Sequence, residues 1–302
     1  VRRLGQYFLD NPLHAMAAAL FFTVLPLVSI PVGFLAAILV GFVTLHRGYK
    51  LGLVVLLGVA IPAFAVAIWK QAFVIDFVLI RCLLVWLLAS ILCTTVSWRL
   101  VLEVMTIVGL LAVLGFHLFL EDTVAWWSGI LNHYAAFLNS IVSGQLSEDR
   151  MQELVTQAAP IASGLFSALL LSGAFAQLLL ARWWQATLFR PGGLAKEFVE
   201  IRAGTILAVV LTVTLIVAVM GVDFAIDALP VVILPFAIAG LSLIHKWMRF
   251  NKKAVYLVVA VYIGLIFLPI LFMSVLALAG YVDSWYNLRK RFFVNHLPTK
   301  GG

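Results

Sequence analysis

Long apolar runs, separated by short polar joints, dominate this chain. They fall at 14–30, 31–45, 51–69, 73–96, 100–120, 158–181, 205–222, 228–245 and 254–280. A helix that crosses a hydrocarbon core needs about 20 mainly apolar residues, and most of these runs approach that length. The pattern predicts an all-α polytopic transmembrane bundle of about eight or nine membrane segments, forming one integral membrane domain over 1–302. Only the stretch from Pro26 to Pro31 divides the first two runs. Proline removes a backbone donor and kinks a helix, so this stretch makes either a tight hairpin of two short helices or one broken helix. The hairpin is favoured.

The segment 121–157 is polar by comparison, yet it is patterned. Trp127, Ile130, Leu131, Tyr134, Leu138 and Ile141 recur at helical spacing, with Asn132, His133 and Asn139 off that stripe. Such a stripe suits a helix lying in the membrane interface. Gly144 ends it, and Ser147 is placed to cap a second short helix, with Glu148 and Asp149 at its positive end. An amphipathic extracytoplasmic insertion is the expected role, either as a spacer or as a lid over an outward-facing pocket.

Charge sets the orientation. With Arg2 and Arg3 in the cytoplasm, successive crossings put Arg47, Lys50, Arg99 and the loops 182–204 and 246–253 inside. Those loops carry Arg182, Arg190, Lys196, Arg202, Lys246, Arg249, Lys252 and Lys253. Outside fall Lys70 and Arg150 with a majority of acids, among them Glu121, Asp122, Asp223 and Asp227. Basic residues held on one side are the mark of cytoplasmic loops, so a bacterial inner-membrane protein with a cytoplasmic N-terminus is expected. Nine crossings would leave Arg289, Lys290 and Arg291 outside, against this rule. Either 254–280 is a re-entrant pair hinged at Pro269, or an N-terminal crossing is miscounted, or the tail is an exception.

Composition agrees with a lipid solvent. Hydrophobic residues make up 64% of the chain and charged residues 11%, against about 25% charged in soluble domains. The net charge of +7 lies in short joints between apolar runs, which reads as topology and not as a nucleic-acid surface. Arg2 and Arg3 precede the first of many apolar stretches, so insertion by the first span is expected in place of a cleaved leader. Cys82 and Cys93 share one run and would stand about 16 Å apart along a helix, too far to bridge.

Ionisable groups in apolar runs are costly and therefore informative. Asp76, Arg81, His117 and Gln177 are the candidate ligand-binding or intramembrane polar residues. Asp76 and Arg81 are five apart and do not face each other well on one helix. His117 is an interface histidine or a proton relay, and Gln177 can bond across helices. Arg99 and Glu103 are four apart at a helix start and read as a surface pair. Zincin, nucleophile-elbow and phosphate-loop motifs are missing, as is any zinc-spaced Cys/His cluster, so no enzyme activity, cofactor or metal is expected. Ala15 and Ala19 put small residues one turn apart on the first helix, which permits close helix approach. The turn Pro191-Gly192-Gly193 leads into a short helix, and Arg190, Lys196, Glu197, Glu200 and Arg202 form a cytoplasmic interfacial loop suited to a partner protein.

The chain resembles the YybS-like family of bacterial membrane proteins. The resemblance rests on His46-Arg47-Gly48-Tyr49-Lys50-Leu51-Gly52, on Pro191-Gly192-Gly193 followed by Glu197-Phe198, on Ala239-Gly240-Leu241 before His245, and on Gly280, Asp283 and Arg289-Lys290-Arg291. That family is in turn similar to the substrate-binding S components of energy-coupling-factor transporters. The resemblance implies a non-enzymatic small-molecule binding or uptake subunit, with Ala15 and Ala19 meeting a membrane-embedded coupling subunit. The chain departs from the S-component pattern in its extra segments and its 121–157 insertion. The alternative is a scaffold or assembly factor that binds partner proteins through its cytoplasmic loops.

Overall fold

The computed structural model describes residues 2–25, 33–70, 73–141, 147–251 and 253–293. The joint from Pro26 to Pro31, and Gly144, fall outside them. Among the described residues the structure is helical, without strands. In chain order the helices are α1 (Arg2–Asp10), α2 (Pro12–Val24), α3 (Phe34–Arg47), α4 (Tyr49–Lys70), α5 (Phe73–Thr95), α6 (Trp98–Phe119), α7 (Thr123–Ile141) and α8 (Glu148–Ala158). After a 3-10 turn at Ala159–Ile161 come α9 (Ala162–Phe189), α10 (Gly193–Phe198), α11 (Thr205–Val219), α12 (Asp223–Phe250), α13 (Ala254–Phe267), α14 (Pro269–Tyr286) and α15 (Leu288–Phe293). Among the described residues six helices are long and apolar enough to cross a membrane, and four further apolar helices are shorter. Ile61, Phe64 and Ile68 on α4 and Tyr256, Ile263 and Ile266 on α13 are all more than half exposed. Whole apolar helix faces left uncovered in this way need lipid as their solvent, which fits a multi-pass membrane protein.

Two compact units can be described separately. The first comprises 1–104 and 170–201, the second 105–169 and 202–302. In the first unit, Asn11 caps α2, its side chain accepting the Leu13 N–H at 3.0 Å, with Pro12 at the helix's first turn. Two separate short helices, α2 and α3, then pack on each other and on α4. Ala15 and Ala19 are fully buried there, Ala19 in a cluster with Leu39 and Val59. Their expected role as an outward contact for a coupling subunit is therefore corrected. The close approach they allow is used up inside this chain, because the side of α2 that carries them is the side α3 and α4 cover.

In the second unit, α12 and α14 cross at Gly240 and Gly280. A Cβ on Gly240 would stand 2.0 Å from the Leu276 carbonyl oxygen, and one on Gly280 would stand 2.0 Å from that of Phe236. The two helices run parallel, since Phe236 meets Tyr281 while Ala239 and Ser242, further along α12, meet Arg289. Such a pair needs a return helix, and α13 supplies it. The apolar run 254–280 is thus two helices, broken at Leu268 and Pro269 and folded back so that Phe272 lies over Gly264. Proline at the first turn of α14 starts a helix well and cannot continue the previous one. As a consequence α14 ends beside Arg202, whose guanidinium donates to the backbone carbonyls of Asp283 and Ser284 at 2.7–3.0 Å.

Within the same unit α7 rests on the start of α9. Trp127 is buried against Ala159 and Ala162, with Phe116, Ile130, Leu131 and Phe166 around it, and its indole N–H donates to Ser163 Oγ at 2.8 Å. Of the stripe on α7, Trp127 is buried against its neighbours and Ile130 and Leu131 are half-buried, while Tyr134 is 60% exposed beside the buried Ala135. The side chains of Leu138 and Ile141 lie outside the described ones, as does that of Asn139. Ser147 caps α8, accepting the Arg150 N–H at 3.3 Å.

Candidate functional site

Three helices of the first unit converge on its most unusual residue. Along α3 and α9, Phe34 pairs with Gln177, Gly41 with Ala181 and Leu45 with Gln185, so the two run parallel. Helix α5 runs the same way, with Arg81 against Gly173 and Val85 against Gly41 beside Ala181. Gly41 is the meeting point: a Cβ there would stand 2.7 Å from Val85 Cγ1 and 3.2 Å from Ala181 Cβ. One turn back along each helix lie Ala37, Arg81 and Gln177. Helix α3 has 14 residues, about 21 Å, shorter than the roughly 30 Å of a hydrocarbon core. Its amino end, with its partial positive charge and no side-chain cap, therefore sits part-way along α9 and not at an end.

Arg81 stands about 12 Å into α5, inside an apolar span. Its Nε is sealed from solvent without a hydrogen-bond partner, and the side chain makes no ion pair among the described residues. Asp76 does not reach it; five residues apart, the two point to different sides of α5. The guanidinium lies instead over α9, where a Cβ on Gly173 would be 3.7 Å from Cζ. Gln177, one turn on and 4% exposed, donates from Nε2 to the Phe34 carbonyl at 3.3 Å, and its Oε1 is sealed and unpartnered. A cation without an anion, an acceptor without a donor and a helix amino end therefore share one level of this unit.

His117, unlike Arg81, has a partner. His117 meets a carboxylate that lies beyond the reach of local spacing: its Nε2 is 3.0 Å from Asp227 Oδ2. Asp227, 1% exposed, also takes the Gly164 N–H at 2.7 Å. The carboxylate thus sits at the positive end of α9, which stabilises it. Asp227 reads from the sequence as a solvated outer residue because the apolar run begins only at 228; the helix begins at Asp223 and carries it into the unit. Asp283, fully buried, receives Arg289 Nε at 2.8 Å, and Arg289 also donates to Ser242 Oγ and the Ala239 carbonyl. Among the described residues no group of three or more His, Cys, Asp or Glu stands close enough to hold a metal ion.

The loop expected to receive a partner is largely engaged within the chain. Glu197 accepts Arg182 Nε at 3.0 Å and the Trp98 indole N–H at 3.3 Å, and Arg202 is held by the end of α14. Both residues thus fasten the loop within the chain while each keeps about 30% of its side chain exposed. Arg190, Lys196 and Glu200 remain exposed. Two clefts flank Arg182. One of about 220 Å³ is lined by His46, Gln185, Phe189 and Arg190; the other, of about 190 Å³, by Cys93, Val96, Trp98 and Glu197. Arg99 and Glu103 form the expected pair at 2.8 Å.

No family model matches the chain, and no curated protein or solved structure matches it.

Proposed function

We propose that this protein is a non-enzymatic solute-binding or uptake subunit of a bacterial cytoplasmic membrane, selective for a small anion that Arg81 receives. The observation that carries this reading is the Arg81 guanidinium, without an ion pair among the described residues and lying over Gly173, one turn along α9 from the sealed acceptor of Gln177. An arginine at the centre of a membrane helix costs about 2.5–3.5 kcal/mol on insertion scales, and no acidic side chain in the described part of the chain offsets it. An anionic group of a ligand would. Helix amino ends within transporters receive anionic substrate groups in the same way, and Gln177 Oε1 calls for a ligand that also carries an N–H or O–H donor.

In this reading the N-terminus is cytoplasmic. The α2/α3 pair enters and returns, and α4, α5, α6, α9, α11, α12, α13 and α14 cross in turn. That count returns Arg289, Lys290 and Arg291 to the side of Arg190 and Lys196, so every cluster of basic residues obeys one rule. The S-component-like reading keeps its binding half. Its coupling half loses Ala15 and Ala19, which are buried. A partner-binding scaffold is supported only by the exposed Arg190 and Lys196.

The test is thermal unfolding of the purified chain in nanodiscs against a panel of monocarboxylates, amino acids, phosphate esters and amines. Anions should raise Tm, and Arg81→Gln should abolish the shift while raising the Tm of the free protein. A panel in which no anion acts through Arg81, or an Arg81→Gln protein less stable than the parent, would sink the reading.

A further inference from the structure

The larger of the two clefts stands apart from the Arg81 site and has a chemistry of its own. It opens where α3 and α9 both stop, at His46 and Phe189, which is the level at which an apolar helix leaves hydrocarbon. Its walls are cationic. Arg190 is exposed and its side chain has no partner among the described residues. Arg182 keeps N–H groups in reserve after pairing with Glu197 and Gln185, since a guanidinium has five. His46 is held in place by stacking on Phe189, ring centroids 4.5 Å apart. Gln185 is fixed by its bond to the Leu45 carbonyl at 2.8 Å. Apolar surface adjoins the cleft: Trp183, two turns before Arg190 on the same side of α9, and Phe189 are each 50% exposed.

We infer that this cleft holds the phosphate of an anionic phospholipid, with Arg190 as its main counter-ion and the acyl chains lying along Trp183. A free phosphate would match the cations but not the apolar approach. A zwitterionic lipid would match the approach but brings its own cation to a site that already has an excess. The volume of about 220 Å³, that of roughly seven bulk waters, accommodates a phosphate with its glycerol linker. Basic pockets at helix ends bind acidic headgroups in this manner.

Native mass spectrometry of the full chain, with phosphatidylglycerol, cardiolipin and phosphatidylcholine added in turn, tests the inference. The anionic lipids should be retained preferentially, and Arg190→Ala should weaken that retention about tenfold, the scale of one charge-assisted hydrogen bond. Lys196→Ala, which removes an equal exposed charge outside the cleft, should change it little. Equal retention of all three lipids, or equal loss in both variants, would overturn the site. Glycerol phosphate, titrated as a soluble competitor, must fail to displace the lipid; displacement at low millimolar concentration would show that the cleft takes a soluble phosphate instead.

Discussion

Gly164→Ala should be among the most damaging single-methyl changes available in this chain. A Cβ at that position would stand 1.6 Å from the Asp227 carbonyl oxygen, 2.8 Å from its carbon and 3.2 Å from Pro230 Cδ. The first two atoms are helix backbone and cannot swing aside, so α9 and α12 must separate by more than an ångström. Separation lengthens the 2.7 Å bond from the Gly164 N–H to Asp227 Oδ1, a bond to a charged acceptor with a net value of about 1.5–3 kcal/mol. Overpacking adds about 1–3 kcal/mol, giving a loss of about 3–5 kcal/mol, a large share of ordinary domain stability. Denaturant unfolding in mixed micelles would read the loss. Trp127, bonded to the neighbouring Ser163, offers a local fluorescence signal of the same event. Asp227→Asn separates the two causes, because it removes charge without adding volume and should cost less than the alanine. A Gly164→Ala protein within about 1 kcal/mol of the parent would refute the packing of α9 on α12 described here.

Asp283→Ala and Arg289→Ala should each cost about 3–5 kcal/mol, since each strands a buried partner, and a double-mutant cycle should return much less than their sum. Val96 has φ 53° and is 77% exposed. A β-branched residue is strained in that region and asparagine is not, so Val96→Asn should raise stability by about 1 kcal/mol in the same unfolding assay. Reporter fusions at the two ends of the chain should report the same side of the membrane; opposite sides would refute the proposed return of α14.

The apolar period disclosed the helices well because in lipid each span must satisfy its own backbone, so composition along the chain is nearly the whole constraint. It left the choice open where two helices share one apolar run: nothing polar separates α13 from α14, and only Pro269 marks the break, one of three readings of that run. The site was half legible. Arg81 and Gln177 stand out as polar residues in apolar runs, but their shared level depends on the parallel setting of α3, α5 and α9, which no local spacing encodes. The same holds for His117 and Asp227, 110 positions apart. Glycines gave a signal that is visible only afterwards: Gly41, Gly164, Gly240 and Gly280 each mark a helix crossing, while Gly115 and Gly129 meet nothing and have no such meaning.

The contrast between the charges is the strongest argument for a ligand at Arg81. Asp227 has a helix amino end, a backbone N–H and a histidine. Asp283 has Arg289, with Arg202 3.7 Å away, and Glu197 has Arg182 and Trp98. Each of these charges has an oppositely charged or polar partner within the chain, although Asp283 Oδ1 is, like Arg81 Nε, sealed without a hydrogen-bond partner. Arg81 is surrounded by Gly173, which leaves space, by Gln177, whose free atom is an acceptor that does not compete for an anion, and by a helix amino end that repels a second cation. Leucine at the same position would fill the space and remove the desolvation cost. An anion carried in by a ligand would give this arginine the partner that the described side chains do not supply.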